Sequence, residues 1–356
     1  MNLIKERRPK MNLSNNNKEK NIYQYDQYIA IDWSQVNVAI ARMKKNSIEP
    51  KKIEMDSNIK EVKKYISGIK GSKILTIEET TSTHWLYVEL KETVDKILVC
   101  DPYRNSLLGT GPKNDKIDAG KLCELLRGNF LHEVYHSIDE DYRIRKLSSA
   151  YEDLVKFGVR LKNQKSAIYR AEGLRYKKDD LPDNPILQFI EENQNEGIGL
   201  YENKRKQYHS YFDKLSRKNE LINNQEQIPG IGTISAVTIY AIVIQAARFE
   251  DKYKYWAYCG LVLNNKESGR RSYGKRKPRC SRKLKGIYLS AAMSAIGGTS
   301  DIAEYYNYLL QSGLPARESR RAVARHIAKI SYGMLKTGEK YVPYKWRKSK
   351  DKEEIK

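Results

Sequence analysis

Residues 111–122 read GPKNDKIDAGKL, and this stretch predicts how the first part of the chain is organised. A Gly-Pro breaker precedes Asn114, a good helix-capping residue, and apolar residues recur at helical spacing from Leu122 onwards. Asp115 and Asp118 are three residues apart, close to one helical turn, so both carboxylates leave the same face near the helix N-terminus. A capped helix with an acidic first turn needs no function, and that alternative stays open here.

Two predicted strands carry further carboxylates at their C-terminal ends. An apolar strand within residues 28–34 (YIAIDWS) ends at Asp32, and a second within residues 73–80 (KILTIEET) ends at Glu78 and Glu79. If these strands lie side by side, four acids converge: Asp32, Glu78, Asp115 and Asp118. Clustered carboxylates repel one another unless cations neutralise them, and hard oxygen ligands favour Mg²⁺ or Mn²⁺. Two such ions form the usual clamp for phosphodiester chemistry. Each acid alone is equally typical of a solvated strand end.

The order of elements predicts the fold of this region. Strands at 28–32, 36–41 and about 50–55 form a meander, and helix-strand units follow, with helices at 59–69 and 84–94 and strands at 73–80 and 96–101. This order favours one mixed sheet with helices on its faces, an α/β domain.

Charge and composition narrow the class of protein. The chain has 356 residues, 66 of them Lys or Arg, and a formal net charge of +22, which favours a polyanionic partner such as nucleic acid. Its four Cys lack paired metal-ligand spacing and predict reduced, mostly buried thiols in a cytoplasmic protein. The sequence contains neither a run of about 18 apolar residues nor an apolar signal core, so we expect a soluble protein without a membrane partner.

Further along, residues 139–227 carry charged helices with a narrow apolar seam. They predict an antiparallel helical hairpin, and we favour pairing between chains over packing within one chain, although both remain open.

Residues 228–233 (IPGIGT) resemble a helix-hairpin-helix loop, in which Gly230 and Gly232 would bring backbone amides close to a DNA phosphate. The alternative is a tight turn.

A basic stretch runs from Ser268 to Gly286, with nine Lys or Arg and no acid. Because Gly and Pro interrupt it, we expect a loop or ribbon rather than a helix face. Such a segment would bind a phosphate backbone, and the alternative is a solvated basic loop. Ser268 is a candidate nucleophile, although most serines are surface hydroxyls. The basic residues are Arg270, Arg271, Lys275, Arg276, Lys277, Arg279, Arg282, Lys283 and Lys285.

These pieces, in this order, resemble the DEDD-type transposases of the insertion-sequence-110 family, whose members act as RNA-guided recombinases. The resemblance extends over about residues 26–340. It rests on the strand AIDW at 30–33, on IEET at 77–80, on KNDKIDA at 113–119, on IPGIG at 228–232, and on Gly260-Leu261 followed by Ser268-Gly269.

The resemblance implies an RNase H-like (RuvC-type) mixed-sheet domain, a helical coiled-coil linker and a mostly helical C-terminal transposase domain. The corresponding bounds are a disordered basic arm at 1–24, the RuvC-like domain at 25–138, the linker at 139–227, the C-terminal domain at 228–345 and a charged tail at 346–356. It further implies Mg²⁺ or Mn²⁺ on Asp32, Glu78, Asp115 and Asp118, and Ser268 as the nucleophile, with the two sites drawn from different subunits.

The implied partners are donor and target double-stranded DNA, a structured noncoding guide RNA, and further copies of this chain in a dimer or tetramer. The implied location is the bacterial cytoplasm, with nucleoid association when active. Two departures from the family pattern leave alternatives open. The family usually has a small residue where this chain has Glu79, so Glu79 is an alternative ligand to Glu78. The segment after Gly269 is unusually basic, which leaves Ser272 as a less favoured nucleophile.

Two other functions fit the same residues. A metal-dependent endonuclease of the Holliday-junction type would use the acids with water and no serine. A non-catalytic nucleic-acid-binding protein would use the acids only structurally. Full cleavage by a Ser268→Ala variant would favour the first, and binding without metal-dependent strand exchange would favour the second.

Overall fold

The computed structural model describes residues 24–104, 114–137, 139–269 and 271–344, with the backbone alone at Asp139, Lys266 and Glu267. The chain divides into two compact units at the Ile138–Asp139 junction, called unit 1 (up to Ile138) and unit 2 (from Asp139). The predicted basic arm (but for its last residue), the Gly-Pro breaker, Arg270 and the charged tail lie outside the described residues.

Unit 1 is an α/β unit. Its strands are β1 (Gln27–Trp33), β2 (Asn37–Lys44), β3 (Lys51–Asp56), β4 (Lys73–Glu78) and β5 (Lys96–Cys100). Its helices are α1 (Ile59–Ser67), α2 (Thr83–Leu90) and α3 (Asp115–Arg127).

The five strands form one mixed sheet in the order β3-β2-β1-β4-β5. The β1–β2 and β2–β3 pairs are antiparallel, whereas β4 is parallel to both β1 and β5. The predicted mixed sheet is therefore confirmed, and its order is compatible with an RNase H-like domain. The meander forms because short turns join β1 to β3, while the parallel strands need the crossover helices α1 and α2.

The sheet is covered on both faces, which explains why β1 and β4 are almost continuously apolar. On one face, even-numbered residues such as Tyr28, Ala30 and Ile74 pack against Leu122 of α3. On the other face, odd-numbered residues pack against α1 and α2; these are Ile29, Ile31, Leu75 and Ile77. The alternation decides which residues at the strand ends face α3.

Unit 2 is mostly helical. Its helices are α4 (Asp139–Ala171), α5 (Pro185–Lys218), α6 (Glu220–Glu226), α7 (Thr233–Val243), α8 (Lys252–Tyr258), α9 (Arg282–Ile296), α10 (Asp301–Gln311) and α11 (Ala316–Thr337), with a short 3-10 turn at Ala246–Arg248. Two strands, β6 (Asn264–Ser268) and β7 (Arg271–Arg276), form an antiparallel hairpin.

The long helices α4 and α5 pack against each other in antiparallel fashion within the chain. Lys165 Nζ lies 2.9 Å from Glu191 Oε1, and Tyr151 Oη lies 2.9 Å from His209 Nε2. Tyr151 also belongs to the hydrophobic core of unit 2. The predicted seam is thus occupied inside one chain over these contacts, and pairing with a second chain stays a prediction.

The core of unit 2 gathers residues from α4 to α11 and contains a buried hydrogen-bond chain. Tyr255 Oη lies 2.5 Å from Tyr288 Oη, which lies 2.8 Å from Ser331 Oγ. Three of the four cysteines are buried, and all four are free thiols. Within the described part of the chain, no helix has the length and apolar character needed to cross a bilayer.

Candidate active site

Asp32 and Glu78 lie side by side at the carboxyl ends of two parallel strands. The β1–β4 register pairs Ile31 with Ile77, and the two acids are the next residue on each strand. Both have even numbers, so the alternation of β1 and β4 directs them to the face that α3 covers. Glu79 has the opposite parity, is exposed, and donates its backbone N–H to the carbonyl of Cys100 at 3.0 Å. The structure therefore favours Glu78 over Glu79 as the acid on this face.

Helix α3 brings the other two acids to the same face. Asn114 caps α3, its Oδ1 accepting the backbone N–H of Lys116 at 2.9 Å, so Asp115 and Asp118 lie in the first helical turn. Negative charge is favourable there because it faces the positive end of the helix dipole. The Cys123 thiol donates to the carbonyl of Tyr28 at 3.2 Å, which ties α3 to β1.

Electrostatics show that three of the acids share one region. The pKa of Asp32 is raised above its ordinary value, first because burial disfavours the charged carboxylate and then because Asp115 and Asp118 repel it. Asp118 Oδ1 is buried and accepts no hydrogen bond. Asp32 therefore lies within the electrostatic reach of both Asp115 and Asp118.

The acids fit a hard divalent cation by donor chemistry, and the unpartnered Oδ1 of Asp118 is an oxygen that a cation would satisfy. As they stand, however, no three His, Cys, Asp or Glu side chains in the described ranges lie close enough together to hold a metal ion. Binding would require the carboxylates to rotate towards the ion.

Two further residues of this site were missed by sequence reasoning. Glu54 on β3 is the cross-strand partner of Ala39 on β2, and Ala39 is the cross-strand partner of Asp32 on β1. Glu54 and Asp32 therefore face the same side of the sheet. Glu54 Oε2 lies 2.8 Å from Lys116 Nζ on α3. The hydrogen bond and the charge of Lys116 lower the pKa of Glu54 below its ordinary value. The polar-apolar alternation of β3 was a signal for Glu54, but its partner depends on the packing of α3.

Ser268 lies at the tip of the β6–β7 hairpin. It pairs with Arg271 and is followed by Gly269, whose φ of 56° is in the left-handed region. Every residue of β7 is exposed, and so is Ser268. Ser272 lies on β7 and is also exposed, in register with Glu267 of β6. Both candidate hydroxyls are therefore accessible to solvent.

The basic stretch divides into a hairpin part and a helical part. Arg271, Lys275 and Arg276 lie on β7, and Lys277 and Arg279 follow it. All five side chains are exposed. The expectation of a loop or ribbon was wrong for its last three basic residues, because Ser281 caps α9 and accepts the backbone N–H of Leu284 at 3.3 Å. The three residues on α9 are Arg282, Lys283 and Lys285.

The two glycines of the IPGIG segment have different environments. Gly230 lies between α6 and α7 with a φ of 86°, and a Cβ there would lie 2.1 Å from the backbone oxygen of Ala291 on α9. Gly232 is the N-cap of α7, and a Cβ there would meet no atom within 4 Å. Gly230 is therefore required by packing, whereas Gly232 leaves the first turn of α7 open.

Comparison with known proteins bears on unit 2. Residues 223–307 match the model of the transposase family IS116/IS110/IS902, a span that includes the IPGIG segment, the β6–β7 hairpin and α9. This part of the chain is similar to the transposase domain of that family. This domain agrees with the resemblance drawn from the sequence, and it contains Ser268 and its basic neighbours. The acids of unit 1 lie outside it.

A relative from Streptomyces clavuligerus points the same way. Over 119 residues the chain is 24% identical to the insertion element IS116 uncharacterized 44.8 kDa protein, a match that covers 33% of this chain and 30% of that protein. The chain thus matches less than a third of its relative's length. The relative's name, IS116, is one of those in the description of the family matched by residues 223–307.

Proposed function

We propose that this protein is a DNA transposase or recombinase of an insertion sequence, which cuts and rejoins DNA through a serine nucleophile assisted by an acidic tetrad. The main support is the convergence of Asp32, Asp115 and Asp118, from segments some 80 residues apart, in a chain that also matches the transposase domain over part of its length. Structural acids have no reason to repel one another in this way, whereas acids that bind cations do.

The acids would hold Mg²⁺ or Mn²⁺ through Asp32, Glu78, Asp115 and Asp118. A bound ion of this kind supplies a Lewis acid that polarises the scissile phosphate. Helix α3 and strands β1 and β4 orient the carboxylates, because all three are anchored in the core of unit 1. The partial burial of Asp32 limits water at the site and strengthens its electrostatic interactions.

The serine would carry the DNA between cleavage and rejoining. The Ser268 Oγ attacks the phosphorus, an O–P bond forms, and the bond from phosphorus to one deoxyribose oxygen breaks. The serine proton passes through solvent to that leaving oxygen. The phosphoserine ester conserves the bond energy, so attack by the hydroxyl of another DNA end restores the serine and rejoins the strand.

The basic residues would bind nucleic-acid backbones rather than read bases. Exposed Arg271 pairs with Ser268, exposed Lys275 and Arg276 lie further along β7, and Lys277, Arg279 and the basic residues of α9 follow. If six to ten phosphates are contacted, affinity falls roughly 10³- to 10⁵-fold between about 50 and 200 mM salt. A structured guide RNA that pairs with donor and target DNA would supply sequence choice.

We test the proposal by trapping the covalent intermediate. The full chain is incubated with the element's noncoding RNA, its DNA and Mg²⁺, then denatured, and DNA attached to protein is mapped by peptide mass spectrometry. We expect attachment at Ser268, retention in Ser272→Ala, and loss in Ser268→Ala.

Other outcomes would decide against the proposal. Attachment at Ser272 would move the nucleophile along the hairpin. Cleavage by Ser268→Ala at the rate of the unmodified protein, with free DNA ends, would identify an endonuclease that uses water at the same acids. Tight binding without cleavage at any Mg²⁺ or Mn²⁺ concentration would leave a nucleic-acid-binding protein.

A further inference from the structure

Lys116 stands between two of the candidate metal ligands but is held away from them. It follows Asp115 directly and precedes Asp118 by two residues, yet its Nζ lies 2.8 Å from Glu54 Oε2 on β3. The other carboxylate oxygen of Glu54 accepts a hydrogen bond from Asn37 Nδ2 at 3.2 Å. Glu54 is therefore fixed from both sides, and Lys116 is directed towards the outer strand of the sheet.

The register of the sheet shows where Lys116 would otherwise go. Asp32, Ala39 and Glu54 stand in one row across β1, β2 and β3, and all face α3. Neighbouring strands are about 4.8 Å apart, so Glu54 and Asp32 are separated by about 10 Å beneath the same helix. A lysine side chain has four rotatable bonds and a compact charge, so it could reach either carboxylate.

The acid cluster would attract the positively charged Lys116 side chain if Glu54 did not hold it. Asp118 Oδ1 is buried with no hydrogen-bond partner, and Asp32 faces the negative charges of Asp115 and Asp118. An ammonium group placed among them would relieve the repulsion and occupy the place of a metal ion.

We propose that Glu54 is a positioning residue that withholds Lys116 from the acid cluster, so that Asp32, Asp115 and Asp118 stay available to a divalent cation. This inference rests on the proposed metal-assisted function. Asn37 orients the Glu54 carboxylate, and Gly120 of α3 leaves room for the side chain of Lys52, the neighbour of Glu54 on the same face of β3.

The simpler role for the ion pair is to fasten α3 to the sheet edge. Both side chains are partly exposed, 47% for Lys116 and 36% for Glu54, and exposed pairs contribute little to stability. The two roles predict opposite results for a double substitution. If the pair only fastens α3, removing both partners leaves the helix loose. If Glu54 withholds a competing cation, removing Lys116 makes Glu54 dispensable.

The experiment measures Mn²⁺ binding to the full chain from the electron paramagnetic resonance signal of free Mn²⁺, without DNA or turnover. Glu54→Gln keeps the side-chain shape and the hydrogen bond from Asn37 but releases Lys116. We expect its Mn²⁺ dissociation constant to rise roughly 5- to 10-fold, as one competing charge at short range requires. Glu54→Gln with Lys116→Gln should return to within about 2-fold of the unmodified protein.

A matched control lies in the same unit. Lys63 of α1 and Glu89 of α2 form an ion pair of 3.1 Å between two elements with similar exposure, 39% and 34%. Glu89→Gln should leave Mn²⁺ binding unchanged. Circular dichroism and thermal unfolding of each variant confirm that the compared proteins are folded.

Three results would decide the matter. Unchanged Mn²⁺ affinity in Glu54→Gln, or no recovery in the double variant, overturns the inference while leaving the metal site intact. If the unmodified protein and Asp118→Asn bind Mn²⁺ equally, the proposed acidic metal site itself fails. Weakened binding in Asp118→Asn and Glu54→Gln, with recovery in the double variant, supports both.

Discussion

The acids of unit 1 and the serine of unit 2 are positioned in opposite ways. Asp32 and Glu78 lie at the carboxyl ends of strands whose preceding residues are buried on both faces, and α3 is tied to the same sheet. Ser268 stands at the tip of a two-stranded hairpin whose second strand, β7, is exposed throughout. An isolated two-stranded hairpin is marginally stable in water. The comparison shows that the fold alone brings the acids to one face of unit 1, whereas under the proposed function bound nucleic acid would have to help position Ser268.

The largest expected effect tests the acids of unit 1. Asp118→Asn removes a carboxylate from the α3 helical turn, and strand cleavage should fall by about 10³-fold or more because the charge that binds the metal is lost. DNA affinity should change little, since the basic residues lie elsewhere. Glu124→Gln, an exposed change on the same helix, is the control for cleavage assays. Equal cleavage by both variants would show that the acids are structural.

The next effect concerns the core from which the exposed hairpin extends. Gly230→Ala places a Cβ 2.1 Å from the Ala291 backbone oxygen at a φ of 86°, and should destabilise unit 2 by about 3 kcal/mol, lowering its melting temperature by roughly 10 °C. Gly232→Ala meets no atom within 4 Å and should change stability by less than about 0.5 kcal/mol. Thermal unfolding measures both. Equal losses would contradict the packing described for Gly230.

A smaller effect sharpens the role of the hairpin itself. Replacing Arg271, Lys275 and Arg276 with Ala should weaken DNA binding by about 10- to 100-fold and reduce the salt slope by up to about 3. Fluorescence anisotropy across a salt series measures both. The control replaces three exposed lysines of α5, Lys204, Lys206 and Lys214. If the α5 variant loses as much affinity, net charge rather than the hairpin governs binding.

The smallest effect is on stability at the acid cluster. The pKa of Asp32 is raised in the folded state, so folding binds protons, and stability falls as the pH rises from the unfolded pKa of Asp32 through its folded pKa. In metal-free buffer at pH 7, Asp32→Asn should raise the melting temperature of unit 1 by up to about 3 °C. The gain should shrink as the pH falls below about 4, where Asp32 becomes protonated in the unfolded state as well as in the folded state. Asp56→Asn, an exposed change, is the control.

Failure of this last prediction would be informative. A lower melting temperature for Asp32→Asn at pH 7 would mean that Asp32 makes a stabilising contact as a carboxylate. The repulsion from Asp115 and Asp118 would then be too weak to explain the site, and the contrast between the two regions would lose its electrostatic basis.

Much of unit 1 was predictable because its signals are local. The apolar run before Asp32, the run before Glu78 and the capped start of α3 each predict an element from adjacent residues, and the structure confirms those elements. The sequence also predicted that the acids of β1 and α3 converge, because neighbouring strands and a covering helix leave few arrangements. The pKa of Asp32 supports that convergence.

Other features depended on contacts between distant residues. The start of α9 was not predicted, because Gly and Pro residues precede Ser281 and Gly286 interrupts the basic residues that follow it. In the structure the Ser281 side chain caps α9, and the helix forms despite Gly286. The role of Gly230 depends on Ala291, and the partner of Lys116 depends on the register of β3. None of these partners is near in sequence.

The sequence by itself determined the mixed sheet, the acidic first turn of α3 and the basic character of the hairpin, since alternation, capping and charge act over a few residues. Only the tertiary structure decided that Glu78 rather than Glu79 faces α3, that Glu54 holds Lys116, and that Gly230 is required by α9. The physical reason is that register and helix packing determine which side chains meet, and both are set by burial across the whole unit.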